Sequence, residues 1–324
     1  MTHALSALLF TLLVGTGGVD TTLAVRRGTR LEVDNFAGDI KVRTWSRDAL
    51  RIEASHSRRT RVDIDRAGAV IRLTAVGRMM PGSVDYALTV PAWMPLDLHG
   101  MSAEIDVDGT RAAVTAKSIN GDVRIKGGEE LITASSLQGE VEVEDAHGRV
   151  EVSSTNQGVK LRRIDGDVLA ESMNGMILLD KVEAKSLEAS TVNGSIVFVG
   201  PMLSGGVYSL STHNGTVLVG LSERPDVTVS VATFSGDFSS SIPLSLDRGE
   251  RHGKRFNFTL GSGSAKLDLE SFQGGVHLAR LEELLQRLPR IEAQSGDDDE
   301  DRANGDGDRN DDTPKHKGKH KDKE

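Results

Sequence analysis

Three carboxylates recur at one position of a repeated motif, and they are the residues of this sequence best placed to do chemistry. Glu104, Asp122 and Glu140 stand 18 residues apart, each directly after the position that Gly121 and Gly139 occupy. If the repeats stack as strands do, these side chains lie about 4.8 Å apart. Stacked like charges raise carboxyl pKa values or recruit a cation, and a pair about 5 Å apart suits retaining glycosidases. Water screens an exposed corner, so one interpretation is that these carboxylates are simply solvated. If they have a function, we predict that they bind a ligand, and we predict no catalytic residue.

Composition and motifs exclude several other classes of site. The chain contains neither GxSxG, HExxH nor a Walker phosphate loop, and its nine histidines are scattered. No cysteine is present, which excludes disulfides and thiolate metal sites. The formal net charge of -9 disfavours a nucleic-acid partner. We therefore predict a protein that is not an enzyme and has no cofactor and no metal.

The motif itself has a period close to 18 residues. It reads SINGDVRI, SMNGMILL and TVNGSIVF in three of its copies, and successive glycine positions are 18, 18, 18, 19, 21 and 21 residues apart. Apolar residues alternate on both sides of each glycine, so each copy provides two short strands. The glycine positions are Gly121, Gly139, Gln157, Gly175, Gly194, Gly215 and Gly236.

Two all-β architectures fit this pattern: an antiparallel meander, and a β-solenoid in which equivalent strands stack in parallel. Two outward-facing charge series alternate in sign, which favours in-register parallel neighbours. They are Asp106, Arg124, Glu142, Lys160 and Asp108, Lys126, Glu144, Arg162, Asp180. We therefore predict an all-β β-solenoid, like a single-stranded β-helix, with coils of about 18 residues.

The Asn-Gly pair is predicted to form a corner of each coil, with glycine supplying a left-handed backbone conformation. Stacking would align amides at Asn120, Gln138, Asn156, Asn174, Asn193 and Asn214. It would also align hydroxyls at Ser118, Ser136, Ser154, Ser172, Thr191, Thr212 and Thr233. Both ladders can form hydrogen bonds from coil to coil.

The regions outside the repeats suggest caps, a leader and a tail. Residues 1–18 resemble a signal peptide, because the apolar run Ala4–Val14 is too short to span a membrane. Residues 19–95 form an N-terminal β cap before the solenoid of residues 96–276. A helix over residues 277–290, ended by Pro289, covers the open end or docks a protein, and an acidic-then-basic tail over residues 291–324 is disordered.

The segments LEVDNFAGDIKVRTW and YALTVPAWMPLDL and the serial S-x-NG-x-I coils resemble the putative adhesin family of bacterial envelope proteins. The resemblance covers about residues 25 to 280. It implies an exported β-solenoid at the cell envelope, in the periplasm, on the surface or secreted, with an envelope protein or polysaccharide as partner. It supplies no functional residues. Alternatives are a carbohydrate-active β-helix that uses the three carboxylates, and a regulatory or structural module that docks a protein through its tail.

Overall fold

The computed structural model describes residues 18–244 and 254–304. Nearly all of the predicted leader lies outside these ranges, and so does the predicted tail from residue 305 onward, so the structure does not test the predictions for those residues. No helix in the described ranges is long and apolar enough to cross a membrane.

The described residues form 26 strands and one helix, α1, and all the strands belong to one hydrogen-bonded sheet. The first seven strands are β1 Gly18–Ala24, β2 Arg30–Ala37, β3 Ile40–Trp45, β4 Ala49–His56, β5 Thr60–Ala67, β6 Val70–Gly77 and β7 Val84–Pro91. The next seven are β8 Leu96–Ser102, β9 Ile105–Thr110, β10 Val114–Ser118, β11 Val123–Gly127, β12 Glu129–Ser136, β13 Val141–Glu144 and β14 His147–Ser154. Then follow β15 Val159–Asp165, β16 Val168–Ser172, β17 Ile177–Glu183, β18 Ser186–Asn193, β19 Ile196–Val199, β20 Val207–Asn214 and β21 Val217–Leu221. The last are β22 Val227–Thr233, β23 Phe238–Ser240, β24 Lys254–Leu260, β25 Ala265–Gln273, β26 Val276–Arg280 and the helix α1 Leu281–Asn304.

Strands β8 to β21 form two columns, each built by pairing every strand with the strand two places later. The even-numbered strands form the first column and the odd-numbered strands the second. All these pairs are parallel, and the register follows the sequence period, with Val114 opposite Ile132 and Val123 opposite Val141. The all-β class and the parallel register are therefore confirmed, and the antiparallel meander is excluded for this region.

Both ends of the stack depart from regular coils. At the N-terminal end, β4 pairs antiparallel with β1 and β7, and β5 pairs antiparallel with β6. Strands β2 and β3 join the columns through parallel pairs with β8 and β9. Near the C-terminal end, β24 runs antiparallel to β22. The antiparallel pairs mean that coils of uniform length do not run through the whole chain.

The final two strands return into the stack rather than extending it. Strand β25 lies between β20 and β22, and β26 lies between β21 and β23. The glycine that follows Gly215 in space is thus Gly274, whereas the repeat alignment places Gly236 there. Antiparallel β24 turns the chain back along β22, which brings β25 to the first column in parallel orientation.

Helix α1 covers the outer face of the second column, and not the open end. Leu284 and Leu288 are buried against Leu178 and Val197, which point outward from β17 and β19. The helix begins four residues later than predicted and continues through Pro289 to Asn304, so residues 291–304 are helical where the sequence predicted a disordered tail. Proline removes one helical hydrogen bond, but apolar contacts on both sides of it hold the helix in place.

Candidate binding face on the Asn-Gly corner

The three predicted carboxylates lie on adjacent coils, as the period requires, but each of them has a partner. Arg124 donates to Glu104 at 3.2 Å and to Asp122 at 2.6 Å. The ammonium of Lys160 lies 2.5 Å from Glu140, whose backbone N–H donates to the Asp122 carboxylate. Burial opposes the charge on Arg124, yet the two carboxylates outweigh it and raise the pKa of the guanidinium. The acids are thus part of an ion-pair network, and their role as ligand-binding residues stays a prediction.

Both alternating charge series also lie in register across the second column. Arg124 stands between Asp106 and Glu142, and Lys126 stands between Asp108 and Glu144. Several of these side chains are half exposed, so each pair contributes little to stability by itself. The acidic and basic side chains of this face of the second column therefore neutralise one another. Among the described residues, no group of three or more side chains could hold a metal ion.

The predicted hydroxyl column is present and buried, except that Ser271 takes the place predicted for Thr233, which donates to the Gly236 carbonyl of its own corner at 3.2 Å. Ser118 donates to the carbonyl of Ala103 at 2.8 Å, and Ser136 donates to that of Gly121 at the same distance. The contact recurs along the column at Ser154, Ser172, Thr191, Thr212 and Ser271. Each hydroxyl therefore links two neighbouring strands of the stack and satisfies a corner carbonyl that no strand pairing reaches.

The amide column is confirmed over its C-terminal half. Asn214 donates to Asn193 at 2.7 Å, Asn193 donates to Asn174 at 2.8 Å, and Asn174 donates to Asn156 at 3.4 Å. Each such bond uses one of the two amide N–H groups and one of the oxygen's two lone pairs. A side-chain amide in the middle of this column keeps a donor and an acceptor for other partners.

Most of the corner glycines do not adopt the left-handed backbone conformation that the sequence predicted for them. None of the glycines at positions 121, 139, 175, 194 and 215 has a left-handed φ. Instead, a Cβ on Gly121 would lie 2.3 Å from the Ala103 carbonyl oxygen, and a Cβ on Gly194 would lie 2.0 Å from that of Gly175. Neighbouring coils touch backbone to backbone at these five glycines, so close approach explains the glycine there, whereas Ala103 and Gln157 show that other corners accept a Cβ.

Sequence reasoning missed an exposed apolar stripe on the same corner. The residues two positions before the glycine stack from strand to strand, and most of them are large and apolar. We call these ten residues the corner stripe: Phe36, Met101, Ile119, Leu137, Thr155, Met173, Val192, His213, Phe272 and Phe234, in spatial order. Ile119 is 42% exposed, Met173 51% and Phe234 72%. The signal was available, because the residue after the inward-facing Ser118 must point outward.

The C-terminal end of the corner stripe is a stack of rings. His213 and Phe272 lie with centroids 4.6 Å apart and planes 8° from parallel. The ring centroids of Phe272 and Phe234 are also 4.6 Å apart, and the two ring planes are 5° from parallel. Three flat rings in register thus extend the apolar surface at the spacing of the strands.

At its N-terminal end the corner stripe meets an open cavity of ≈ 430 Å³. Phe36, Met101 and Ile119 contribute its apolar lining. Outward-facing polar residues of β2, β8 and β10 line it as well: Asp34, His99 and Lys117. The stripe therefore runs from a cavity with a mixed polar and apolar lining to a stack of rings whose edges face outward.

No protein-family model matches the chain, and no curated protein matches it. Solved structures that resemble it include a putative adhesin from Bacteroides fragilis, 11% identical, with 82% of this chain and 98% of that chain covered and a TM-score of 0.42. A putative adhesin from Parabacteroides distasonis is 13% identical, with 82% and 97% covered and a TM-score of 0.36. A putative cell adhesion protein from Clostridium sporogenes is 9% identical, with 81% and 99% covered and a TM-score of 0.18. The likeness is distant, so function must be argued from this chain's own surface.

Proposed function

We propose that the chain is an exported, non-enzymatic β-solenoid that acts as an adhesin-like binding scaffold of the bacterial cell envelope. The observation that carries this proposal is the corner stripe, ten positions long on a stack whose buried polar groups are largely satisfied from strand to strand. Nine steps of about 4.8 Å give the stripe a length of roughly 43 Å. The largest exposed apolar patch of a soluble protein often marks a contact surface.

The rest of the corner supports binding rather than catalysis. The three predicted acids are held by Arg124 and Lys160, so none of them stands as an unpaired acid or base at the corner. Export is supported by the leader-like run Ala4–Val14 at the start of the sequence. A stack of strands that keeps the corner stripe exposed to solvent suits a scaffold that presents one binding surface to the envelope.

Co-sedimentation of the full chain with envelope fragments of the source bacterium tests the proposal. The test variant replaces three exposed stripe residues: Ile119→Ser, Leu137→Ser and Met173→Ser. The matched control replaces Leu131→Ser and Val207→Ser, which are 43% and 47% exposed but lie at the other end of their strands. We expect the stripe variant to lose at least about tenfold in apparent affinity and the control to bind like the wild type.

Two results would overturn the proposal: no sedimentation of the wild type, or equal sedimentation of the stripe variant. A chain that lacks residues 305–324 separates this reading from tail-mediated docking, because loss of binding with the tail would place the contact there. Release of reducing ends from envelope glycan that stops on Asp122→Asn would instead establish the carbohydrate-active alternative.

A further inference from the structure

We propose that the corner stripe binds a linear, uncharged polysaccharide that lies along the stack. This inference rests on the proposed function and names its ligand. The first argument is the pitch. Stripe residues repeat at the strand spacing of about 4.8 Å, and the rings of an extended β-1,4-linked pyranose chain advance by a closely similar distance. Each ring of such a chain can therefore contact one stripe position, with successive rings presenting opposite faces to the stripe.

The second argument is the pairing of apolar and amide groups. A pyranose ring has apolar C–H faces and a rim of hydroxyls. Beside the apolar side chain of Val192, the amide of Asn193 keeps one N–H and one lone pair beyond its bonds to Asn174 and Asn214. The ring stack of His213, Phe272 and Phe234 adds aromatic surface where the amides continue as Asn214 and Gln273.

The third argument is charge. The corner stripe and the amide column contain no aspartate, glutamate, lysine or arginine. The carboxylates that follow the corner are already paired with Arg124 and Lys160. Nothing here offers the cationic partners that an anionic polysaccharide would need along its length. The ligand that fits is neutral and rich in hydroxyls.

The fourth argument is shape. A stripe about one side chain wide, which is about 7 Å along a strand, and roughly 43 Å long presents on the order of 300 Å², less than half of what each partner buries in a stable protein complex. A long, thin ligand uses such a surface better than a globular one. The cavity at its N-terminal end, with Asp34, His99 and Lys117 in its lining, can hold the last sugar through hydrogen bonds to hydroxyls.

Calorimetric titration of the full chain with neutral β-1,4-linked oligosaccharides of glucose and of N-acetylglucosamine tests this inference. Lengths of two, four and six sugars are compared, with an oligogalacturonate hexamer as the anionic control. We expect affinity to rise with length, because each added sugar covers another stripe position. The affinity of the stripe variant for the hexamers should fall at least about tenfold, and its thermal unfolding midpoint should stay unchanged. The Leu131→Ser, Val207→Ser control should bind the hexamers like the wild type.

The two proposals fail in different ways. Envelope binding that is lost when the fragments are treated with protease, together with no response to any neutral oligosaccharide, would overturn the glycan inference and leave the binding scaffold standing. A wild-type dimer in light scattering that becomes a monomer in the stripe variant would assign the stripe to a second copy and overturn it as well. Absence of any envelope binding would remove the premise of both.

Discussion

Replacing Gly194 by alanine tests the claim that the coils touch backbone to backbone. The added Cβ would lie 2.0 Å from the carbonyl oxygen of Gly175, where ordinary contact begins at 3.4 Å. The coils must therefore separate by more than about 1 Å, which strains the bonds from Asn193 N–H to the Met173 carbonyl and from Gly194 N–H to the Asn214 carbonyl. Overpacking costs about 1–3 kcal/mol, and weakening one or two backbone bonds adds about 0.5–1.5 kcal/mol each.

We expect Gly194→Ala to lower the free energy of unfolding by about 2–4 kcal/mol, measured as a shift of the urea midpoint at unchanged m-value. Gly194→Asn should cost at least as much, because the obstacle is space. Gly68 is the matched control, since it has φ +60° and nothing within 4 Å of its Cβ position. There Asn should be tolerated better than Ala, because Asn accepts a left-handed conformation. If Asn were tolerated at Gly194 too, backbone conformation would explain the glycine and the close-approach argument would be refuted.

Two further predictions concern single polar groups. Ser136→Ala should cost about 1–3 kcal/mol in urea unfolding, because Ser136 is buried and bonds both the Gly121 carbonyl and the Gly139 N–H. Ser135→Ala on the outer face should change stability by less than about 0.5 kcal/mol, and equal effects would argue against the hydroxyl column. Hydrogen bonds from Ser262 and Ser264 lower the Asp226 pKa from 3.8 to about 2. The ionised Asp226 carboxylate therefore stabilises the folded chain fully above pH 3.8, and this stabilisation is lost as the pH falls towards 2. In Asp226→Asn, the thermal unfolding midpoint should consequently depend less steeply on pH between these values. An unchanged slope would contradict this.

The parallel register could be predicted from the sequence because two independent signals agree. The fixed period aligns Val123 with Val141, and the alternating charges at Asp106, Arg124 and Glu142 are favourable only if equivalent residues are neighbours. The hydroxyl column follows from the same register. The register and the hydroxyl column depend on the spacing of residues along the chain, which can be read from the sequence alone.

The order of the last coils could not be predicted in this way. Any strand with the same alternation can pair with either edge of the column, so spacing does not say that β25 inserts between β20 and β22. The position of α1 did leave a signal. The outward positions change from charged residues to Leu178, Val197 and Leu218, which indicates that something covers this face.

The ion pairs around the three predicted carboxylates were missed because like charges were considered without their neighbours. Arg124 stands two residues after Asp122, on the same face, and Lys160 reaches Glu140 from the next coil. The apolar residues one step before the amides were treated as part of the turn. Successive side chains of a strand point to opposite faces, so the residue after each buried serine points outward. Continuing this alternation into the corner would have predicted the stripe.

Methionine oxidation is the most direct test of the claim that the corner stripe is the contact surface. Met101 and Met173 lie in the stripe and are 45% and 51% exposed, whereas Met202 is partly exposed outside it. The full chain is oxidised with and without envelope fragments, and each methionine is followed by mass spectrometry. We predict that bound fragments slow the oxidation of Met101 and Met173 but leave Met202 unchanged. Unchanged rates at both stripe methionines in a chain that is bound would place the contact elsewhere on the molecule.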